Sequence, residues 1–199
     1  MSKDRHNGFI ELFKAIHPLS SELKNFIIEK TQLASFKKGA IICRENSNCH
    51  KLMYIKKGVV RGYFNYGGKE ITTWISFDHE VFTSISGYFS NEPCKENIQA
   101  IDDTIVEYIS QEDFKMCFTI YNESNIVYKR LLEQYYRSAE ERAFLARIPV
   151  AKDRYEYYST KINPDHLHKI PKKYLSSLLN MQPETLTRIT TALKSKSDK

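Results

Sequence analysis

The sequence predicts an α+β fold: an antiparallel jelly roll, then one long helix, then a helical hairpin with a tight turn. Three observations carry this. Between Phe36 and about Ser110, short runs rich in β-branched and aromatic residues alternate with glycine, asparagine and proline turn signals, as in a roll or barrel. From roughly Glu123 to Arg147 the chain has neither Gly nor Pro. From Ile170 to Leu193, apolar residues recur at helical spacing on either side of Asn180. A chain of 199 residues has room for one large domain or two small ones.

The N-terminal stretch from Phe9 to Leu33 has helical texture, with Phe9, Leu12 and Phe13 and then Leu23, Phe26, Ile27 and Ile28. His17-Pro18-Leu19-Ser20 separates two short helices, and Ser20 or Ser21 can cap the second. Candidate strands follow at Ala40–Cys43, Lys51–Ile55, Val59–Asn65, Lys69–Phe77, Ile98–Ala100 and Thr104–Ser110. Gly67-Gly68 marks a hairpin, because glycine reaches positive φ cheaply.

In the long helix, Tyr128, Leu132, Tyr135, Ala139, Arg142 and Ala146 follow alternating steps of four and three, the spacing of a coiled-coil seam. Val127, Leu131 and Ala143 widen the apolar stripe beyond what one roll would cover. A parallel homodimer through residues 128–146 is therefore expected, with Arg142 as a polar break. A helix packed only on its own domain is the alternative. Ile148-Pro149-Val150 ends the helix and offers a hinge.

The segment Ile170–Leu193 reads as two helices and a turn. Pro171 suits a first helical turn, where its missing N–H costs nothing. Leu175, Leu178 and Leu179 supply an inward face, and Asn180 tolerates the left-handed conformation a sharp turn needs. Gln182 is a weak N-cap, Pro183 takes the first position of the second helix, and Leu186, Ile189 and Leu193 form its buried side. Glu184, Thr185, Thr187, Arg188 and Thr191 are left on the other side. Such a set suits the major groove: Arg188 can fork onto guanine and Glu184 can accept from cytosine. Lys172 and Lys173 are placed to meet backbone phosphate. A plain helical hairpin with a polar surface is the alternative.

Charge agrees with the first reading. Residues 151–199 hold 10 Lys+Arg against 5 Asp+Glu, whereas residues 1–150 hold 20 against 19. A basic C-terminal unit gains free energy by displacing counterions from phosphates; Lys194, Lys196 and Lys199 would equally suit a solvated end. No apolar run nears the ~18–20 residues of a membrane span. Met1 to His6 are polar, with no apolar stretch behind them, so no secretory signal is expected and the cytoplasm is the expected location. Cys43, Cys49, Cys94 and Cys117 contain no CxxC pair, and in a reducing compartment four isolated free thiols are expected.

The whole arrangement resembles the Crp/Fnr family of regulators, the catabolite activator protein and its relatives. Phe36-Lys-Lys-Gly-Ala-Ile-Ile with Leu52-Met-Tyr-Ile-Lys-Lys-Gly-Val-Val-Arg-Gly-Tyr is similar to that family's opening strands. Ala151-Lys-Asp-Arg-Tyr is similar to the start of its DNA-binding domain. Tyr174-Leu-Ser-Ser-Leu-Leu-Asn-Met-Gln-Pro-Glu-Thr-Leu-Thr-Arg-Ile resembles the recognition unit of its shorter, Bacteroidetes-type members. The resemblance implies a cyclic-nucleotide-binding-like β-roll over 1–121, a dimerisation helix over 122–148 and a helix-turn-helix over 151–199. It implies a transcription regulator, not an enzyme, whose partners are double-stranded DNA and a second copy, with RNA polymerase as a further candidate. Glu184 and Arg188 match the family's base-reading glutamate and second arginine; Pro183 stands where many members carry another arginine. With Gln182, Thr185, Thr187, Lys172 and Lys173 these are the expected DNA contacts. Many relatives continue into a C-terminal β-element, for which the residues after the second helix leave no room.

The sensor half departs from the cyclic-AMP-binding pattern of a glutamate for the ribose and an arginine for the phosphate. Thr83, Ser84, Cys94 and Lys95 occupy those positions, so the forked cation and the ribose acceptor are both missing. On the long helix, Ala139 and Glu140 fall toward the pocket mouth, and Glu140 would repel a phosphate. Cyclic AMP is not expected to bind; any ligand would meet Thr83, Ser84, Cys94, Lys95 and Ala139. No metal or cofactor is expected. The first cysteine is too far along for an N-terminal iron–sulfur cluster, and His79 and Cys94 make a weak haem pair because a lone histidine is more often a surface or satisfied core residue. His50 and His79 are too isolated for a cupin-type metal enzyme. A ligand-sensing or redox-sensing module whose helix-turn-helix binds protein rather than DNA remains the rival reading.

Overall fold

The computed structural model describes residues 8–197. Met1 to His6 and Lys199 lie outside the described residues, as do the side chains of Lys194 and Lys196. Eight strands form two antiparallel sheets: β1 (Gln32–Phe36), β2 (Ile41–Cys43), β3 (Lys51–Lys57), β4 (Val60–Tyr66), β5 (Lys69–Ser76), β6 (Val81–Phe82), β7 (Asn97–Ala100) and β8 (Thr104–Ser110). One sheet runs β1-β8-β3-β6 and the other β2-β7-β4-β5. Met53, Ile55, Val60, Phe82, Ile98 and Val106 form a buried cluster drawn from both sheets; alternation along each strand sends every second side chain to that face. This is the expected roll. The β4–β5 hairpin turns at Gly67 and Gly68, with φ of 57° and 74°, so two consecutive positive φ values demand the two glycines.

Three expectations are corrected. The helical texture assigned up to Leu33 stops at Lys30, and β1 begins at Gln32, pairing with β8 from Gln32↔Tyr108 to Phe36↔Thr104. Its side chains are exposed or half-buried, so it carries little apolar alternation and is defined by its ladder partner. Strand β6 also escaped notice, since two residues cannot show a period. Thirdly, the cysteines are not four free thiols: Cys43 and Cys49 are joined in a disulfide, and Cys94 and Cys117 are free and buried. The end of β2 and the approach to β3 fold back on each other, bringing Cα atoms six positions apart to 6.1 Å, within bridging range.

Helices α1 (Gly8–Ile16), α2 (Ser21–Lys30) and α3 (Gln111–Ile120) pack against the roll and the first turns of α4 (Asn122–Arg147). Phe9, Phe13, Leu23, Ile27, Phe114 and Val127 share this cluster. The Ser20 hydroxyl accepts the Leu23 N–H, the cap expected from sequence. Along α4, Ser124, Val127, Leu131 and Leu145 are buried. Between the last two the helix stands away from the roll, leaving Leu132, Tyr135, Tyr136 and Phe144 exposed. Tyr128, counted in the dimer seam, instead packs in its own chain, 4.6 Å from Phe118 between ring centroids. The free face therefore starts at Leu132.

After α4 come α5 (Ala151–Lys161), α6 (Pro164–Lys169), α7 (Lys172–Leu178) and α8 (Pro183–Ser197). A third cluster holds Val59, Phe77 and Ile101 of the roll together with Leu145, Ile170, Leu175, Leu179 and Leu186. The terminal helices thus share apolar core with the roll.

Candidate nucleic-acid interface and sensor cavity

Helices α7 and α8 meet at a turn in which Asn180 has φ of 48°, as its place in the sequence requires. Pro171 lies one position before α7, where its carbonyl accepts the Tyr174 and Leu175 amides. Pro183 opens α8 and the Gln182 carbonyl accepts the Leu186 N–H. Leu175, Leu179, Leu186 and Ile189 are buried, which fixes the opposite face outward. Gln182, Glu184, Thr187 and Arg188 are exposed and Thr185 is half-buried. The Thr187 hydroxyl donates to the Pro183 carbonyl, 3.0 Å away. Glu184 and Arg188 have no intramolecular polar partner among the described residues, so both are free for a ligand.

Two arginines that sequence reasoning overlooked hold this unit. Arg154, 8% exposed, donates through Nε to the Leu179 carbonyl (2.8 Å) and through Nη2 to that of Asn180 (3.0 Å). Its Nη1 reaches the carbonyls of Ile148 (2.6 Å) and Pro149 (3.1 Å). The expected hinge at 148–150 is thereby tied to the turn between α7 and α8. Nothing in spacing distinguishes Arg154 from Lys152 nearby; only the convergence of four carbonyls does.

Arg61, on β4, is 1% exposed. It donates to Glu70 (2.5 Å), Gln99 (2.7 Å) and Thr72 (3.2 Å), with its guanidinium 3.7 Å from the Tyr174 ring centroid. Ser177 completes the contact: its hydroxyl accepts the Thr72 N–H at 2.9 Å and donates to the Glu70 carbonyl at 3.1 Å. Helix α7 is thus docked on the edge strand β5, where Ser177 satisfies two of the strand's free backbone groups. Burial alone would raise the Glu70 carboxyl, but Arg61 and Lys173 outweigh it and hold it below the usual carboxylate range. Lys173 lies 3.7 Å from that carboxylate, whereas Lys172 is exposed with no carboxylate beside it. Of the two lysines expected at phosphate, Lys172 is the freer.

Beneath the stretch of α4 that stands off the roll lies a cavity of about 670 Å³. Roll residues Trp74, Val81, Phe82 and Tyr88 form one wall and α4 the other, while Tyr157, Tyr158 and His166 extend it toward the terminal helices.

Residues 33–121 match the cyclic nucleotide-binding domain family. Among solved structures, the chain is similar to FixK2 from Bradyrhizobium japonicum, at 18% identity and a TM-score of 0.74, covering 84% of this chain and 86% of that one. It is similar to a CooA mutant from Carboxydothermus hydrogenoformans, at 17% identity and a TM-score of 0.69, covering 93% and 84%. A third neighbour, from Eubacterium rectale and assigned to the Crp/Fnr family of transcriptional regulators, has 20% identity and a TM-score of 0.67, covering 89% and 85%. The chain has the fold of the Crp/Fnr regulators. No curated protein sequence matches it.

Within that Crp/Fnr fold, the sensor positions named from sequence are not gathered into one site. The Thr83 hydroxyl is spent on the Lys51 carbonyl, 2.8 Å away. Ser84 and Cys94 are each 1% exposed. Lys95 projects outward, 3.4 Å from Glu92. Ser84 and Lys95 meet only at a second, smaller hollow with Phe64, Ser86 and Glu96, whereas Thr83 lines the large cavity and Ala139 and Cys94 line neither. The histidines are also occupied: a ring nitrogen of His50 bonds the Gly87 carbonyl at 2.7 Å, and one of His79 bonds the Tyr54 hydroxyl at 2.8 Å. Among the described residues no helix is long and apolar enough to cross a membrane, and no cluster could hold a metal ion.

Proposed function

We propose that this chain is a transcription regulator that binds double-stranded DNA as a homodimer, reading sequence with Glu184, Thr185 and Arg188 on α8. The observation that carries the reading is the exposed, partner-free pair Glu184 and Arg188 on the outer face of a helix whose other face is anchored in core. In this reading residues 1–121 are the sensor, 122–148 the dimerisation helix and 151–199 the DNA-binding unit. A two-fold dimer through the free face of α4 would set two recognition helices about one DNA turn (~34 Å) apart.

Arg188→Ala is expected to relax base preference and to cost about 1–3 kcal/mol on the specific site. Lys172→Ala weakens all sequences alike and flattens the salt dependence. Selection of binding sites from random duplexes checks both; unchanged selection by Arg188→Ala would remove α8 from the groove.

The sensor is proposed not to bind cyclic AMP. With neither a ribose acceptor nor a guanidinium at positions 83–84 and 94–95, two charge-assisted interactions are lost, each about 1.5–3 kcal/mol. Cyclic AMP at physiological concentration should therefore shift neither the melting temperature nor the affinity for DNA. Micromolar binding by calorimetry would overturn this.

A further inference from the structure

The bond between Cys43 and Cys49 closes a small ring. Cys43 ends β2, Cys49 lies just before β3, and six positions separate them. A structural staple usually joins distant stretches of chain, because the gain from closing a loop grows with its length. A ring this short gains least, so the bond governs the shape of one loop more than the survival of the fold.

The ring is placed to hold a neighbouring segment. The Asn46 N–H donates to the Cys94 carbonyl at 2.8 Å, and the Cys94 N–H donates to that of Ser47 at 2.9 Å. The Glu45 N–H reaches the Asn97 side-chain oxygen at 3.0 Å. A Cβ on Gly87 would come within 2.7 Å of the Cys49 carbonyl oxygen, so the single turn at Ser86–Ser90 lies against the ring as well. The ring thus grips the stretch that joins β6 to β7 at two places.

Both oxidation states suit the site. Cys43, Cys49 and Cys94 lie in one buried cluster with Val60, Phe82 and Ile98. A free cysteine packs as a small apolar side chain, so two thiols there strand no strong polar group. Between the two sulfurs in the chain, Arg44, Asn46 and Asn48 are exposed, so opening of this loop alone brings a reductant to them. The other thiols are placed differently. Cys94 is 1% exposed, and on α3 burial pushes the Cys117 thiol up to about 12, which leaves it un-ionised and inert toward exchange.

We propose that Cys43 and Cys49 form a reversible thiol–disulfide exchange site whose reductant is a dithiol, and that the bonded state holds the loop 44–48 on the stretch between β6 and β7. A thiolate of the reductant attacks one sulfur of the pair. The Sγ–Sγ bond breaks, and the other cysteine leaves as a thiolate and takes a proton. The reductant's second thiolate then displaces the remaining cysteine from the mixed disulfide. Two electrons pass to the pair, the dithiol becomes a cyclic disulfide, and its two protons end on Cys43 and Cys49. Once the ring is open, the three hydrogen bonds to Cys94 and Asn97 lose the restraint that keeps them formed.

The test equilibrates the full chain over a series of ratios of dithiothreitol to its cyclic disulfide. The chain is then alkylated in denaturant and the labelled cysteines are identified by mass spectrometry. Without reductant, Cys94 and Cys117 should be labelled and the pair should not. With reductant all four should be labelled, Cys43 and Cys49 changing together and reversibly while the circular dichroism stays native. Reduction should speed exchange of the Glu45, Asn46 and Cys94 amides about tenfold or more and leave those of β3 and β8 unchanged. It should lower the melting temperature by about 3–8 °C. Cys43→Ser with Cys49→Ser should show the fast exchange with or without dithiothreitol. Four labelled thiols under excess cyclic disulfide, or a bond that involves Cys94, overturns the proposal. So does reduction that needs prior unfolding, or reduction that leaves the three amides unchanged.

Discussion

Replacing Arg154 by methionine should destabilise the chain by about 2–4 kcal/mol, the cost of leaving several buried carbonyls without a donor. Four backbone carbonyls converge on this guanidinium, from Ile148, Pro149, Leu179 and Asn180. Methionine fills similar volume but donates nothing, and each buried acceptor left without a partner costs about 1–3 kcal/mol unless water reaches it. Because the bonds join the end of α4 to the turn between α7 and α8, the loss should fall on the terminal helices first. Urea unfolding followed by circular dichroism measures it, with exposed Lys152→Met as the control, expected within about ±0.5 kcal/mol. A change no larger than that control would mean that the carbonyls are satisfied by solvent and that Arg154 organises nothing.

Leu132→Glu combined with Tyr135→Glu should yield a monomer whose affinity for a two-fold operator falls by orders of magnitude. Both side chains are exposed on the part of α4 that stands off the roll, so the chain itself loses little on substitution. In a parallel dimer the four introduced carboxylates would instead face one another across an apolar seam, where burying unpaired charge is prohibitive. Two half-site contacts made by one rigid dimer act with high effective concentration, and separating them forfeits that gain. Analytical ultracentrifugation and titration of a palindromic duplex test the two effects separately. A wild-type chain that sediments as a monomer at micromolar concentration would sink the dimer proposal.

The docking of α7 fixes where the terminal helices sit on the roll. Inter-domain contacts are usually modest and polar, and relative motion is the default. Here Val59, Phe77 and Ile101 share a buried cluster with Leu175, Leu179 and Leu186, reinforced by Arg61 and Ser177. Phe77 also stacks on His166 at 4.4 Å, and Lys169 pairs with Asp78 at 3.1 Å. In this arrangement the segment 148–150 is clamped, so any reorientation of the terminal helices has to break a defined set of contacts.

Local chemistry determined much of this in advance. Six of the eight strands (all but β1 and β6), the Gly67-Gly68 hairpin, the Ser20 cap, the length of α4 and the Asn180 turn all follow from rules that act within a few residues, namely side-chain period, backbone φ and capping. The outward set on α8 followed too, since burying Leu186 and Ile189 leaves Glu184 and Arg188 no other direction. What remained for the tertiary structure to decide depends on partners distant in the chain. Strand β1 exists through its ladder with β8, more than sixty positions away by the Gln32↔Tyr108 pairing. The Cys43–Cys49 bond depends on how β2 returns toward β3, which no spacing motif records. Tyr128 looked like seam because its spacing fits one, yet Phe114 and Phe118 claim it. Arg61, Arg154 and the cavity under α4 arise only when separate elements are brought together. Periodicity tells which face of a helix is apolar, but only packing tells what that face meets, and where it meets nothing.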